Sequence, residues 1–299
     1  MSAQAWRTLS LPARDEEVER LESALEALGA LAVTVEAMDD RPVFDLLDGS
    51  EPPLWTNCSV EALFPAEQET ESVIAALAAA GFSTLGARQR LVADQDWQAA
   101  FRAHFPPLCF GRLWVVPSWH EPPAEAEHIL HLDPGMAFGT GTHPTTALCL
   151  AWLADFAYTP TTRVLDYGCG SGILAIAAAK LGAAEVSAVD IDPAACAVTR
   201  ENTSRNACPE IAIGLPSQLP PEDSETGRFD VIVANLLLQP ILALREEFAA
   251  RLLPGGHLTL SGLMLDQVPK VLAAYGDLFD MDTPQSHAEW ALLTGRLRR

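Results

Sequence analysis

The sequence predicts an α/β protein in two parts: a larger C-terminal domain on a doubly wound, Rossmann-like sheet, and a small N-terminal ferredoxin-like α+β domain. Three observations predict it. The run Arg163 to Lys180 reads as strand, glycine turn and helix, because the apolar Val164-Leu165 gives way to Gly168, Gly170 and Gly172 and then to strong helix formers from Ile173. Downstream, Glu185 to Asp190 reads as a second strand that ends on a carboxylate. Ahead of both, the elements follow the order β-α-β-β-α-β, which is that of a ferredoxin-like plait.

The N-terminal elements are justified in turn. Trp6 to Leu11 alternates like a strand, and Arg14 to Leu28 carries Val18, Leu21, Leu25 and Leu28 on one helical face, stopped by Gly29. Leu31 to Glu36 and Trp55 to Leu63 are predicted strands, followed by a helix from Glu67 to Ala80 ended by Gly81 and a last strand from Thr84 to Leu91. No clustered His, Cys or paired carboxylates occur there, so residues 1–93 are read as a recognition domain, with pure scaffolding as the alternative. Residues 94–107 are predicted as a linker helix: Trp97, Phe101 and Phe105 recur every fourth residue and Pro106-Pro107 ends it.

The second domain, residues 108–299, opens with predicted strands from Arg112 to Trp119 and from His128 to Leu132. His128 and His131 lack a third ligand, and no metal is expected. Leu132 to Thr146 holds three glycines around Phe138, which suits a lid, and Pro144 begins a helix whose first N–H groups favour a carboxylate. After Asp190, Asp192-Pro193 starts a helix to Asn206, Ile211 to Ile213 is a short strand, and Pro216 to Gly227 is a polar loop. Phe229 to Asn235 is a buried strand that delivers Asn235 to the ligand-binding end of the sheet. An amphipathic helix from Ile241 to Leu253, a turn at Pro254-Gly255-Gly256, a strand from His257 to Leu263, a helix from Gln267 to Tyr275 and a closing antiparallel pair complete the chain.

Composition narrows the class. With 40 acidic against 19 basic residues among 299, the formal charge is −21, which disfavours tight nucleic-acid binding and favours a basic partner. The six cysteines include no C-x-x-C pair, giving neither a zinc pattern nor a disulfide framework. Met1 to Arg7 lacks the basic and apolar regions of a leader, and no run approaches the roughly 20 apolar residues of a membrane helix, so a cytoplasmic location is expected.

The glycine spacing is G-x-G-x-G; a dinucleotide fingerprint would need glycine where Ile173 stands. Together with Asp166, the turn resembles that of the class I methyltransferases that use S-adenosyl-L-methionine (AdoMet) and yield S-adenosyl-L-homocysteine. Asp190 alone does not separate AdoMet from NAD, since both place a carboxylate on the ribose. Leu132 to Thr146, Asp166 to Gly172, Asp190 to Pro193, Val231 to Asn235 and the tail from Glu289 to Arg296 resemble, more closely still, the bacterial methyltransferases of ribosomal protein L11. That resemblance implies a substrate-recognition domain, a linker and a class I methyltransferase domain. It places cofactor contacts on Thr146, Gly168, Asp190 and Asn235, to which the turn adds Gly170 and Asp166. It also implies methyl transfer to lysine ε-amines and the N-terminal amine of L11, free or in the large subunit, with the enzyme expected to be a monomer. One departure is Leu237-Leu238-Gln239, where smaller residues are expected; it bears on the acceptor pocket and not on the cofactor site.

Asn235 is the predicted catalytic residue, orienting the acceptor amine, and His143 is a candidate base with a structural role as the alternative. The Asn-Pro-Pro-Tyr signature for planar amide or base nitrogens is absent at Asn235. The competing readings are an RNA methyltransferase, a small-molecule amine methyltransferase and a non-catalytic AdoMet-binding protein.

Overall fold

The computed structural model describes residues 5–38, 57–93, 105–133 and 141–298, and the chain divides into two compact units, Met1–Ala100 and Phe101–Arg299. Most of the predicted linker helix, the middle of the predicted lid and Trp55 lie outside the described residues.

The first unit contains β1 (Ala5–Arg14), α1 (Asp15–Ala27), β2 (Ala32–Ala37), β3 (Asn57–Pro65), α2 (Thr70–Ala79) and β4 (Arg88–Ala93). Its sheet runs β2-β3-β1-β4 with every pair antiparallel, the order of the ferredoxin-like plait. Period-2 alternation buries Cys58, Val60, Ala62 and Phe64 of β3 against Val18, Leu21 and Leu25 of α1 and Val73 and Leu77 of α2. Asp15, Glu16 and Glu17 in the first turn of α1 suit the positive end of its dipole. The last strand starts later than the sequence predicts. A turn closed by Ala87 N–H on Thr84 O, beside the left-handed Gly86, takes up the residues before Arg88.

The second unit begins with a three-stranded sheet, β5 (Leu108–Phe110), β6 (Leu113–Val116) and β7 (His128–His131). Sequence periodicity missed β5, which is only three residues long. The main sheet then builds through α3 (Pro144–Asp155), β8 (Arg163–Tyr167), α4 (Ile173–Leu181), β9 (Glu185–Val189), α5 (Pro193–Arg205), β10 (Ala212–Gly214) and β11 (Phe229–Asn235). It closes with α6 (Leu238–Ala243), α7 (Arg245–Arg251), β12 (Leu252–Met264), α8 (Val268–Tyr275), β13 (Phe279–Met281), β14 (Gln285–His287) and β15 (Trp290–Leu297).

The strand order is β10-β9-β8-β11-β12-β15-β13, with β14 on β15. From β10 to β12 the pairs are parallel, and β15 is antiparallel to β12. This is a doubly wound α/β sheet, and its order reverses between β8 and β11, where a crevice opens at the carboxyl ends. Two apolar layers flank it: α3 and α4 pack on Val164, Val231 and Val233, while Phe248, Val271 and Tyr275 pack on Leu165, Ile232 and Ala234.

Two predicted elements differ in detail. The helix from Ile241 to Leu253 starts earlier and bends at Leu244, where ψ opens to 1°, although Leu244 N–H to Pro240 O and Phe248 N–H to Leu244 O carry the hydrogen bonds through. Pro254-Gly255-Gly256 turns the chain inside a strand. Phe229 pairs with Leu252 and Val231 with His257, so Leu253 to Gly256 loops out of the ladder.

Candidate active site

The glycine turn after β8 is fixed from three sides. Gly168 and Cys169 N–H both donate to Val189 O, at 2.7 and 3.0 Å, which folds the turn onto the end of β9. From α5, the Thr199 hydroxyl donates to Gly170 O at 2.9 Å and Asn202 Nδ2 donates to Ser171 O at 2.8 Å. Sequence reasoning missed both residues; their i, i+3 spacing on the predicted helix was the available signal. Gly168 has φ of +83°, and a Cβ there would collide with the Leu236 side chain arriving from β11.

Asp190 follows β9 and is half-buried. Its Oδ2 accepts from Gly170 N–H and its Oδ1 from Asp192 N–H, both at 3.0 Å. Each oxygen keeps lone pairs for further donors, such as ribose hydroxyls. The structure thus brings the predicted Gly168, Gly170 and Asp190 together in one hydrogen-bonded unit.

Asp166, the last carboxylate of β8, is fully buried. Its Oδ2 accepts from Ala175 N–H, in the first turn of α4, at 3.0 Å. Burial pushes its carboxyl up to about 7; the Ala175 hydrogen bond opposes this and the Asp190 charge adds to it. Its Oδ1 is buried with no hydrogen-bond partner among the described residues.

Thr146 and Asn235 lie 89 positions apart in the chain. Pro144 occupies the first turn of α3, and the His143 side chain caps it, with Nδ1 3.4 Å from Thr145 N and 2.8 Å from Thr145 Oγ1. The His143 ring also packs edge-on against Trp290 at 4.9 Å. Burial lowers its pKa, with Glu289 opposing. In the first turn of α3, the buried Thr146 hydroxyl accepts from Asn235 Nδ2 at 3.3 Å. Asn235 Oδ1 is buried and without a hydrogen-bond partner among the described residues.

Beyond Asn235 the chain is held by a feature the sequence did not reveal. Leu236 N–H donates to Ser261 O at 3.0 Å, and the Gly262 bulge, with φ of +86°, lets the Leu236 backbone sit against it. At the predicted departure, Leu238 is buried and Leu237 is 52% exposed, so one leucine packs inward while the other faces solvent beside the site.

The donor set fits a nucleoside that carries a cationic amino-acid end. Asp190 suits a diol, the orphaned Asp166 and Asn235 oxygens call for N–H donors, and the start of α3 suits a carboxylate. Among the described residues, no three His, Cys, Asp or Glu side chains form a group that could hold a metal, and no helix is long and apolar enough to cross a membrane.

Comparison with known proteins extends this from chemistry to ancestry. The family model described as "Ribosomal protein L11 methyltransferase (PrmA)" matches residues 5–298. Proteins named ribosomal protein L11 methyltransferase from Marinobacter nauticus and Nitrosococcus oceani are each 43% identical over 297 residues. The matches span 97% and 98% of this chain and 98% and 99% of theirs. A crystal structure of ribosomal protein L11 methylase from Lactobacillus delbrueckii subsp. bulgaricus aligns with a TM-score of 0.58 at 33% identity, covering 65% of this chain and 100% of that one. Near end-to-end similarity at this level, on the strand order described above, means that the chain belongs to the ribosomal protein L11 methyltransferase family.

Proposed function

We propose that this protein transfers methyl groups from AdoMet to lysine ε-amines and the N-terminal α-amine of ribosomal protein L11. The observation that carries the reading is the convergence, at the reversal of strand order, of the Gly168 turn, Asp190 and the Thr146–Asn235 pair. Family membership supports L11 as the acceptor. The excess of acid, 40 residues against 19 basic ones, supports a basic protein over a nucleic acid.

In this reading AdoMet, when bound, supplies a methyl group on a positively charged sulfur. Asp190 holds the ribose diol, the start of α3 receives the carboxylate, and Asp166 receives the α-ammonium. The glycine turn lets the backbone approach without a Cβ in the way. Such a displacement needs positioning more than covalent help. The acceptor must arrive as a neutral amine, whereas free lysine has a pKa of about 10.4, so the site has to desolvate it. Asn235 Oδ1 accepts one amine N–H and thereby aims the nitrogen lone pair, with Nδ2 held by Thr146. His143 serves as the cap of α3, and water takes the proton.

The reading extends to the rest of the chain. The ferredoxin-like unit recognises the substrate, residues 94–107 link it to the methyltransferase domain, and the protein acts as a monomer in the cytoplasm. An assay with labelled methyl groups on ribosomes and on free ribosomal proteins tests the core claim. Label on L11 supports it, whereas label on rRNA, on a small amine or nowhere overturns it.

A further inference from the structure

The carboxyl ends of β8 and β11 form a corner lined by two unsatisfied acceptors. Asp166 lies beside Val233 in the parallel register, so Asn235, two residues on, leaves the sheet on the same face. Asp166 Oδ1 and Asn235 Oδ1 are both buried and orphaned among the described residues. A buried orphan acceptor is costly, so whatever completes this corner brings donors. At Asp166 an ammonium fits, with three N–H groups and a positive charge, while Asn235 Oδ1 is left for the acceptor amine.

Among the described residues, the titratable groups that act on Asp166 offer it no cation. Asp190 faces it from the end of β9, Cys149 from α3 and Cys169 from the turn, and burial pushes both thiols up, which keeps them neutral. From α4 its support is the Ala175 N–H. A carboxyl in that setting, beside a second carboxylate, keeps its proton near neutrality.

We propose that Asp166 is protonated in the ligand-free protein and releases that proton to solvent as the α-ammonium of the cofactor docks against Oδ1, so that cofactor uptake is coupled to pH. This rests on the cofactor reading above. The balance is simple: a carboxylic acid and an ammonium become a carboxylate–ammonium pair and one free proton, and only the O–H bond breaks. The proton has to leave, because an acid facing an ammonium would set donor against donor. S-adenosyl-L-homocysteine carries the same ammonium, so its departure takes a proton back up.

Calorimetry of the full chain with S-adenosyl-L-homocysteine, in buffers of different ionisation enthalpy, counts the protons released. The ligand's own α-amino group can also exchange a proton, so the informative quantity is wild type minus Asp166→Asn. That difference should approach one proton per site at pH 6 and vanish at pH 8.5. Wild-type affinity should weaken by about tenfold per pH unit below 7, with Asp166→Asn flat over the same range. Equal proton release by the two forms overturns the coupling and leaves cofactor binding standing. No uptake by either form at any pH removes the cofactor reading and the coupling together. Should the variant fail to fold, the infrared carbonyl band of a protonated carboxyl at pH 6 decides: its loss on adding ligand to wild type supports the coupling, and its persistence overturns it.

Discussion

Asn235 Nδ2 donates to the Thr146 hydroxyl at 3.3 Å, joining the end of β11 to the first turn of α3 across 89 positions of the chain. The bond orients the amide, so that Oδ1 and not Nδ2 is presented to an acceptor amine. Asn235→Ala should lower kcat by roughly 100-fold or more while changing cofactor affinity only a few-fold. Thr146→Val should cost much less. Single-turnover methylation alongside calorimetric Kd separates the two effects, and an equal loss in both quantities would assign Asn235 to binding alone.

Asp190→Ala removes the partner of the Gly170 N–H as well as the proposed ribose acceptor. Charge-assisted hydrogen bonds of this kind are worth about 1.5–3 kcal/mol, so AdoMet should bind roughly 10- to 100-fold more weakly. Titration calorimetry reads this directly. Unchanged affinity would sink the cofactor assignment.

Gly168 and Gly262 both meet Leu236, with different consequences. A Cβ at Gly262 would lie 2.8 Å from the Leu236 carbonyl carbon and 3.0 Å from its N, fixed backbone that has no room to shift. At Gly168 the obstacle is the Leu236 side chain, which can swing away. Gly262→Ala should therefore cost about 2–4 kcal/mol in urea unfolding, and Gly168→Ala closer to 1–2 kcal/mol. Leu236→Ala should recover part of the second loss and none of the first.

His143→Ala deletes the cap of α3 and should lower stability by about 1 kcal/mol, with His143→Asn restoring it. Methylation at neutral pH should persist in both variants. A loss of kcat that His143→Asn fails to rescue would instead make His143 the base.

Asp166 also makes a prediction about stability in the ligand-free protein. Its carboxyl is raised to about 7, by burial first, so between the usual carboxylate range and pH 7 the folded state holds more protons than the unfolded one. Its contribution is fully present at low pH and is lost as pH rises through 7. Asp166→Asn still accepts from Ala175 N–H but no longer ionises. Its melting temperature should exceed that of wild type at pH 8, with the gap narrowing as pH falls below 7 and closing only near pH 4, where the unfolded carboxyl also takes up its proton. A gap independent of pH would show that Asp166 is not the group titrating.

Much of the fold was legible because its signals are local. Alternation in β3, the apolar face of α1 and the glycine run after Leu165 are set by neighbours within a few residues. Phe229–Asn235 falls where the buried run predicts, since its ends are marked by a polar loop and a change of pattern. Harder to see were β5, too short for periodicity, and the bulge at Gly262, where nothing in the local sequence announces that Leu236 will press against it.

By itself the sequence determined the elements, their order and the cofactor-type turn, because dihedral preference and hydrophobic period act over short stretches of chain. Only the tertiary structure decided which distant groups meet. Strand register sets Asp166 beside Val233 and so brings Asn235 to Thr146, and helix packing sets Thr199 and Asn202 on the glycine turn. It also decided charge: burial, with the Asp190 carboxylate nearby, is what raises the Asp166 carboxyl.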